Sequence, residues 1–76
     1  GAAEDPELAA LPPQAKERAR AGLARIQATT DPEKLQQMIG MFDQMGGQMP
    51  PEAKPAVDFL RRKAEARLRE LSSPRP

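Results

Sequence analysis

The sequence contains no cysteine, histidine, tryptophan or tyrosine, and its aromatic residues are two phenylalanines. Without cysteine the chain has no disulfide framework, and without cysteine or histidine it lacks the usual ligands of zinc and other transition metals. Catalysis near neutral pH relies mainly on histidine, cysteine, tyrosine, an activated serine or carboxylates in a concave site. The only serines, Ser72 and Ser73, lie at the carboxyl end. We therefore expect no enzymatic activity, no catalytic residue, no metal site and no cofactor.

The sequence also lacks a large excess of either sign of charge, and it lacks long hydrophobic runs. Twelve lysines and arginines oppose eleven aspartates and glutamates, which gives a net charge of +1. Such a balance creates no global field that would attract nucleic acid or an anionic membrane. The sequence contains no run of about 18 apolar residues, the length needed to span a bilayer, and its acidic amino terminus does not resemble a signal peptide. These features predict a soluble protein, placed in the cytoplasm, with no membrane partner.

The chain is short. A domain of 76 residues buries only about 60% of the surface that its unfolded chain exposes, so its core must be thin. Small domains of this kind commonly gain stability from a partner or from a second copy of themselves. Dimerisation is therefore one way in which the core of this domain could be completed.

Prolines and glycines divide the chain into segments whose apolar residues recur with the helical period. Residues 1–12 combine alanine, proline and acidic residues without a period, so we interpret them as a flexible lead-in or linker. Three helices are predicted at about 13–28, 31–45 and 55–71 within a domain spanning 13–71, followed by a disordered tail at 72–76. No alternating β-branched run occurs, which predicts no strands. The short connections favour an all-α domain of three consecutive antiparallel helices.

Local signals support the helix boundaries. Asp31 can cap the second predicted helix with Pro32 at its first position, while Thr30 with Glu33 forms an alternative capping box. Gly46 or Gly47 could end that helix in the left-handed conformation.

The first predicted helix has a shallow apolar face. Two of its members are alanines, and a glycine lies among them, so a neighbouring helix could approach it closely. The residues of this face are Ala15, Ala19, Gly22, Leu23 and Ile26.

The second predicted helix carries most of the methionine. Leu35, Ile39 and Phe42 cover one side of it and are predicted to form the internal core. Met38, Met41 and Met45 widen the apolar arc to about 160°, which is more than one neighbouring helix needs. Placing this helix centrally between two others would cover the whole arc.

The alternative is that the methionine edge is a binding surface, because methionine adapts its shape to varied apolar partners. Phe59 lies well away from the apolar stripe of the third predicted helix, so the internal core would leave it exposed. We interpret Met38, Met41, Met45 and Phe59 as one partner-binding patch. Its occupant could be another protein or a second copy of the chain.

The third predicted helix is basic. Arg61, Arg62 and Arg67 are expected at the rim of the patch, where charge affects encounter and selectivity more than affinity. Interleaved acidic residues and the lack of a stacking aromatic argue against nucleic acid, which stays a less favoured alternative.

Residues 31–52 resemble the Asp-Pro-, Met- and Gln-rich helical modules of heat-shock co-chaperones, the STI1 type. The resemblance rests on Asp31, Pro32, the methionines and the glutamines. Those modules repeat the Asp-Pro or Asn-Pro step before each short helix, whereas the predicted helices contain it once, so no residue role is carried over. In layout alone the chain is similar to docking segments that join subunits of multienzyme assemblies.

The sequence thus predicts a non-catalytic helical module for protein-protein interaction, such as a docking or dimerisation domain of a larger protein or multienzyme assembly. Two alternatives are a chaperone-like binder of apolar peptide segments and a weak nucleic-acid binder that uses the basic third helix.

Overall fold

The computed structural model describes residues 5–72, which form α1 (Pro6–Ala9), α2 (Pro13–Ala28), α3 (Pro32–Gln48) and α4 (Lys54–Ser72). Within these residues no strand occurs. The domain is therefore all-α, and its three long helices are those that the sequence predicts. The short helix α1 was not predicted and lies within the expected lead-in. Of the predicted tail, Ser72 is the last residue of α4, and 73–76 lie outside the described residues.

The long helices run alternately up and down. Asp43 and Gly46 of α3 lie against Arg61 and Val57 of α4, respectively, so residue numbers fall along one helix as they rise along the other. Consecutive helices α3 and α4 are therefore antiparallel. Between α2 and α4 the contacts rise together, from Gly22 with Leu60 to Thr29 with Arg67, so these two helices run in the same direction.

α4 is the central helix. It packs against both α2 and α3, whereas α2 and α3 have almost no contact with each other. Half of the buried apolar residues belong to it, and the core consists of Leu8, Ala19, Ile26, Leu35, Phe42, Ala56, Val57, Phe59, Leu60 and Ala64. Central placement of the methionine-bearing helix, one of the two interpretations of its wide apolar arc, is therefore wrong. α4 is central because its buried residues face both neighbours, with Leu60 against α2 and Val57 against α3.

Two helices begin with the same capping device. The Asp31 carboxylate accepts a hydrogen bond of 3.0 Å from the Glu33 N–H, with Pro32 in the first turn, as predicted. In α1 the Asp5 carboxylate accepts one of 2.9 Å from the Glu7 N–H. Aspartate satisfies a free N–H at the helix start, and proline has no N–H to satisfy.

The predicted stop of α3 is wrong. No described glycine has a positive φ, and both Gly46 and Gly47 are helical, so α3 continues to Gln48. Met49 then turns to the extended conformation, with ψ 149°. The cause is Pro50, because a proline ring disfavours helical geometry in the residue before it. The helix therefore ends about one turn later than the glycines suggested, which brings Met49 onto the same face as Met45.

α2 and α4 approach most closely at Gly22. A Cβ atom built there would lie 2.8 Å from both terminal methyl carbons of Leu60. Leu60 is largely buried, so its side chain must shift to make room for that atom. The shallow face that the sequence predicts for α2 is therefore used for close packing, and Gly22 sets the distance between the two helices.

We predict opposite effects of alanine at two helical glycines. Gly40 has open space around its Cα, so Gly40→Ala should raise the free energy of unfolding by up to about 1 kcal/mol through helix propensity. Gly22→Ala should lose that gain, because displacing Leu60 costs about 1–3 kcal/mol. Urea unfolding followed by circular dichroism measures both. Equal stabilisation by the two substitutions would contradict the close contact.

Candidate interaction groove

An open groove lies over α4, between the first half of α2 and the second half of α3. Its volume is about 690 Å³. It exists because α2 and α3 both pack on α4 but not on each other, which leaves the space between them unfilled. The lining residues are Pro12, Gln14, Ala15, Glu17, Arg18, Phe42, Met45, Met49, Pro50, Glu52, Ala53, Ala56, Val57 and Leu60. We call this set the interaction groove.

The floor and one wall of the interaction groove are apolar. α4 and the turn before it form the floor with Ala53, Ala56, Val57 and Leu60, and α3 forms the wall with Phe42, Met45 and Met49. Met45 and Met49 are half-buried and packed against the core on one side. Flexible thioether side chains that keep part of their surface in solvent can adjust to an apolar ligand.

The polar groups of the interaction groove lie at its edge. Glu17, Arg18 and Glu52 are exposed and carry charges of both signs, and Gln14 adds an amide. These side chains can form hydrogen bonds with a ligand that contacts the apolar floor. Because both signs are present, the rim does not favour ligands of one charge. The arrangement is an apolar cleft with a polar border, which is the usual anatomy of a protein-binding surface.

The structure divides the predicted methionine patch. Met45 lines the interaction groove, whereas Met38 is half-buried against the core, and neither Met38 nor Met41 is among the lining residues. Met41 is half exposed, at 50%. Met49, which the sequence analysis left out of the patch, lines the interaction groove instead.

Phe59 is buried, with 1% of its surface exposed, so the prediction that the core leaves it uncovered is wrong. The Lys63 ammonium lies 5.6 Å from the centre of its ring. Lys63 also forms an ion pair of 2.5 Å with Asp5. Asp5, the N-cap of α1, is thereby tied to α4 about one helical turn after Phe59.

The predicted rim arginines are paired within the chain. Arg61 binds Asp43 of α3 at 3.1 Å, and Arg62 binds Glu7. These two arginines connect α4 to α3 and to α1. None of the predicted rim arginines lines the interaction groove.

Arg67 is held in the same way. Its Nε donates to the Thr29 carbonyl at 3.3 Å, and its Nη1 lies 3.3 Å from Glu70. The Thr29 hydroxyl in turn donates to the Arg25 carbonyl at 2.7 Å. Arg67 thereby fixes the carboxyl end of α2 against α4.

One sequence signal would have found α1. Residues 5–7 are Asp-Pro-Glu, the same tripeptide as 31–33, which the sequence analysis recognised as a helix start. The floor of the interaction groove carries no comparable signal, because it depends on which helix is central. Periodicity assigns residues to helix faces but does not say which face two neighbours leave open.

Residues 5–72 contain no group of three or more acidic, cysteine or histidine side chains that could hold a metal ion. No helix in this range is long and apolar enough to cross a membrane.

We predict that the two apolar residues assigned to one patch behave differently. Phe59→Ala should lower the free energy of unfolding by about 3–5 kcal/mol, because it leaves a cavity in the core. Met41→Ala should change it by less than about 0.5 kcal/mol, since surface substitutions usually have small effects. Thermal and urea unfolding give both values. A small loss for Phe59→Ala would mean that its side chain is not in the core.

The pKa of Asp5 is lowered, first by the hydrogen bond from Lys63 and next by that from the Glu7 N–H. Because the pKa of Asp5 is lower when α1 is docked, its carboxylate stabilises the docked state at pH values above the ordinary aspartate pKa. This stabilisation is lost as the pH falls through the lowered pKa of Asp5. We predict that Lys63→Gln moves the pKa of Asp5 upward, so that α1 loosens at a higher pH. Carboxyl carbon shifts measured by NMR report this, and identical Asp5 titrations in both proteins would refute it.

Comparison with known proteins adds no relative: no protein-family model matches this chain, and no curated protein and no solved structure is detectably similar to it.

Proposed function

We propose that this domain is a non-catalytic interaction module whose interaction groove binds an amphipathic helix of a partner protein. The observation that carries the proposal is the gap between α2 and α3, which leaves an apolar cleft above α4 beside the half-buried Met45 and Met49. In a larger protein or multienzyme assembly, the domain would serve as a docking unit.

The dimensions of the interaction groove favour a helix as the occupant. Its floor runs from Ala53 to Leu60, which is about two helical turns. Two of the floor residues are alanines, so a partner backbone can come close. A helix that presents apolar side chains three or four residues apart places two anchors in a cleft of this length, as other helix-in-groove complexes do.

The charges support a protein ligand over nucleic acid. Four cations of α4 are committed to carboxylates of the same chain: Arg61, Arg62, Lys63 and Arg67. The rim of the interaction groove combines Glu17 and Glu52 with Arg18, so it presents no continuous basic surface to a phosphate backbone.

The test begins with ligand selection. A displayed library of amphipathic helical peptides about four turns long is selected against the wild-type domain, and the affinity of the chosen peptides is measured by calorimetry. Met45→Gln should weaken binding by about tenfold, because it removes apolar surface from the contact. Met41→Gln is the matched control on the same helix and should change affinity less than about threefold.

A second pair of variants tests the shape of the interaction groove. Ala15→Leu adds bulk inside it, whereas Ala24→Leu adds the same bulk to the exposed side of α2. Filling the cleft should abolish peptide binding, and the exposed leucine should leave it unchanged. The proposal is wrong if Met45→Gln and Ala15→Leu, both shown to be folded by circular dichroism, bind the selected peptides like the wild type.

Sedimentation equilibrium separates a foreign partner from a second copy. A monomer that binds the peptides supports the proposal as stated. A mass near twice that of one chain, reduced to one chain by Met45→Gln, would identify a second copy as the occupant and contradict the choice of a foreign helix.

A further inference from the structure

α1 pairs with a second surface of α4, through Arg62 and Lys63. Arg62 and Lys63 lie three and four residues after Phe59, so both are its neighbours on the surface of α4. Asp5 pairs with Lys63, and Glu7 pairs with Arg62. These residues do not line the interaction groove, so the surface under α1 is a separate feature of the domain.

Few contacts hold α1 against the rest of the domain. α1 has four residues, too few to be helical alone, so its helix depends on docking. Its buried side chain is that of Leu8, which is 3% exposed. The side chains of Arg62 and Glu7 are more than half exposed, and exposed ion pairs contribute little to stability. Release of α1 should therefore require less free energy than unfolding of the long helices.

What lies beneath α1 is suited to binding. Phe59 is 1% exposed with α1 in place, and the Lys63 ammonium lies over its ring. Without α1, the two cations beside this ring would lose their carboxylate partners. Two such cations favour carboxylates spaced like those of Asp5 and Glu7.

We propose that α1 is a reversible cover, and that the face of α4 beneath it binds a short acidic helical turn of a partner protein that ends in leucine. α1 displays the required chemistry: a carboxylate at Asp5, a second at Glu7, and the apolar side chain of Leu8 directly after it. A partner segment with the same pattern would make the same two ion pairs and place its leucine where Leu8 is buried. Binding at this face is thus a competition between α1 and the partner.

The experiment uses a released variant and a peptide. Asp5→Asn, Glu7→Gln and Leu8→Ala together remove the contacts of α1 while leaving α4 unchanged. The probe is a synthetic peptide with the sequence of residues 5–12, followed by amide shifts in two-dimensional NMR. The control peptide carries Asn and Gln in place of the two acids.

The released variant should bind the acidic peptide with shifts centred on Phe59, Arg62 and Lys63. Its apparent Kd should be at least about tenfold lower than that of the wild type, since a competing cover reduces the fraction of binding-competent molecules. Raising the salt from about 0.05 M to 0.5 M should weaken binding, because exposed ion pairs are screened. The neutral peptide should bind more weakly at low salt.

The proposal is overturned if the folded released variant binds the acidic peptide no more tightly than the wild type, or if Arg62→Gln with Lys63→Gln in that variant leaves the affinity unchanged. If the released variant does not fold, hydrogen exchange of the wild type tests whether α1 opens separately from the rest of the domain. The Ala9 and Ala10 amides, bonded to Asp5 and Pro6 carbonyls, should exchange at least about tenfold faster than the amides of core residues in α4. Equal protection would show that α1 opens only when the whole domain unfolds.

Discussion

The packing of α4 against two helices that do not meet is the constraint on which the structure depends. α4 contributes five buried residues, Ala56, Val57, Phe59, Leu60 and Ala64, and so supplies apolar surface to every other helix. α2 approaches it closely at Gly22, and α3 is held to it by apolar packing and by the pair of Arg61 with Asp43. Because both neighbours are committed to α4, the space between them stays open as the interaction groove. The same contacts that stabilise the fold therefore create the candidate site.

The two covered sides of α4 differ in how they are closed. The sides that face α2 and α3 are covered by long helices with many apolar contacts, so the shape of the interaction groove between those helices should persist. The side toward α1 is closed by one turn of helix, one buried leucine and two ion pairs. Salt and acid act on ion pairs and carboxylates, and they should therefore loosen α1 well before they affect the interaction groove.

Much of the fold could be predicted from the sequence because its determinants are local. The period of the apolar residues placed the three long helices, and Asp31 with Pro32 marked the start of α3. The exposure of Phe59 was predicted wrongly, because its burial depends on tertiary packing that the apolar stripe of one helix does not report. The end of α3 was misplaced because Pro50 rather than the glycines sets it. Which helix is central depends on the sum of all pairwise packing, and no single segment encodes that sum.

Among the residues that line the interaction groove, one belongs to the predicted partner-binding set, Met45. Met45 was identified by its position on α3, but Met49 and the floor residues around Leu60 were not, because they join the site through tertiary packing. The most direct test of the account is a methyl NMR titration of the four methionines with an amphipathic helical peptide selected against the domain. The account predicts that the methyl signals of Met45 and Met49 shift together while that of Met41 changes little. Shifts confined to Met41, or none at any methionine on saturation, would contradict it.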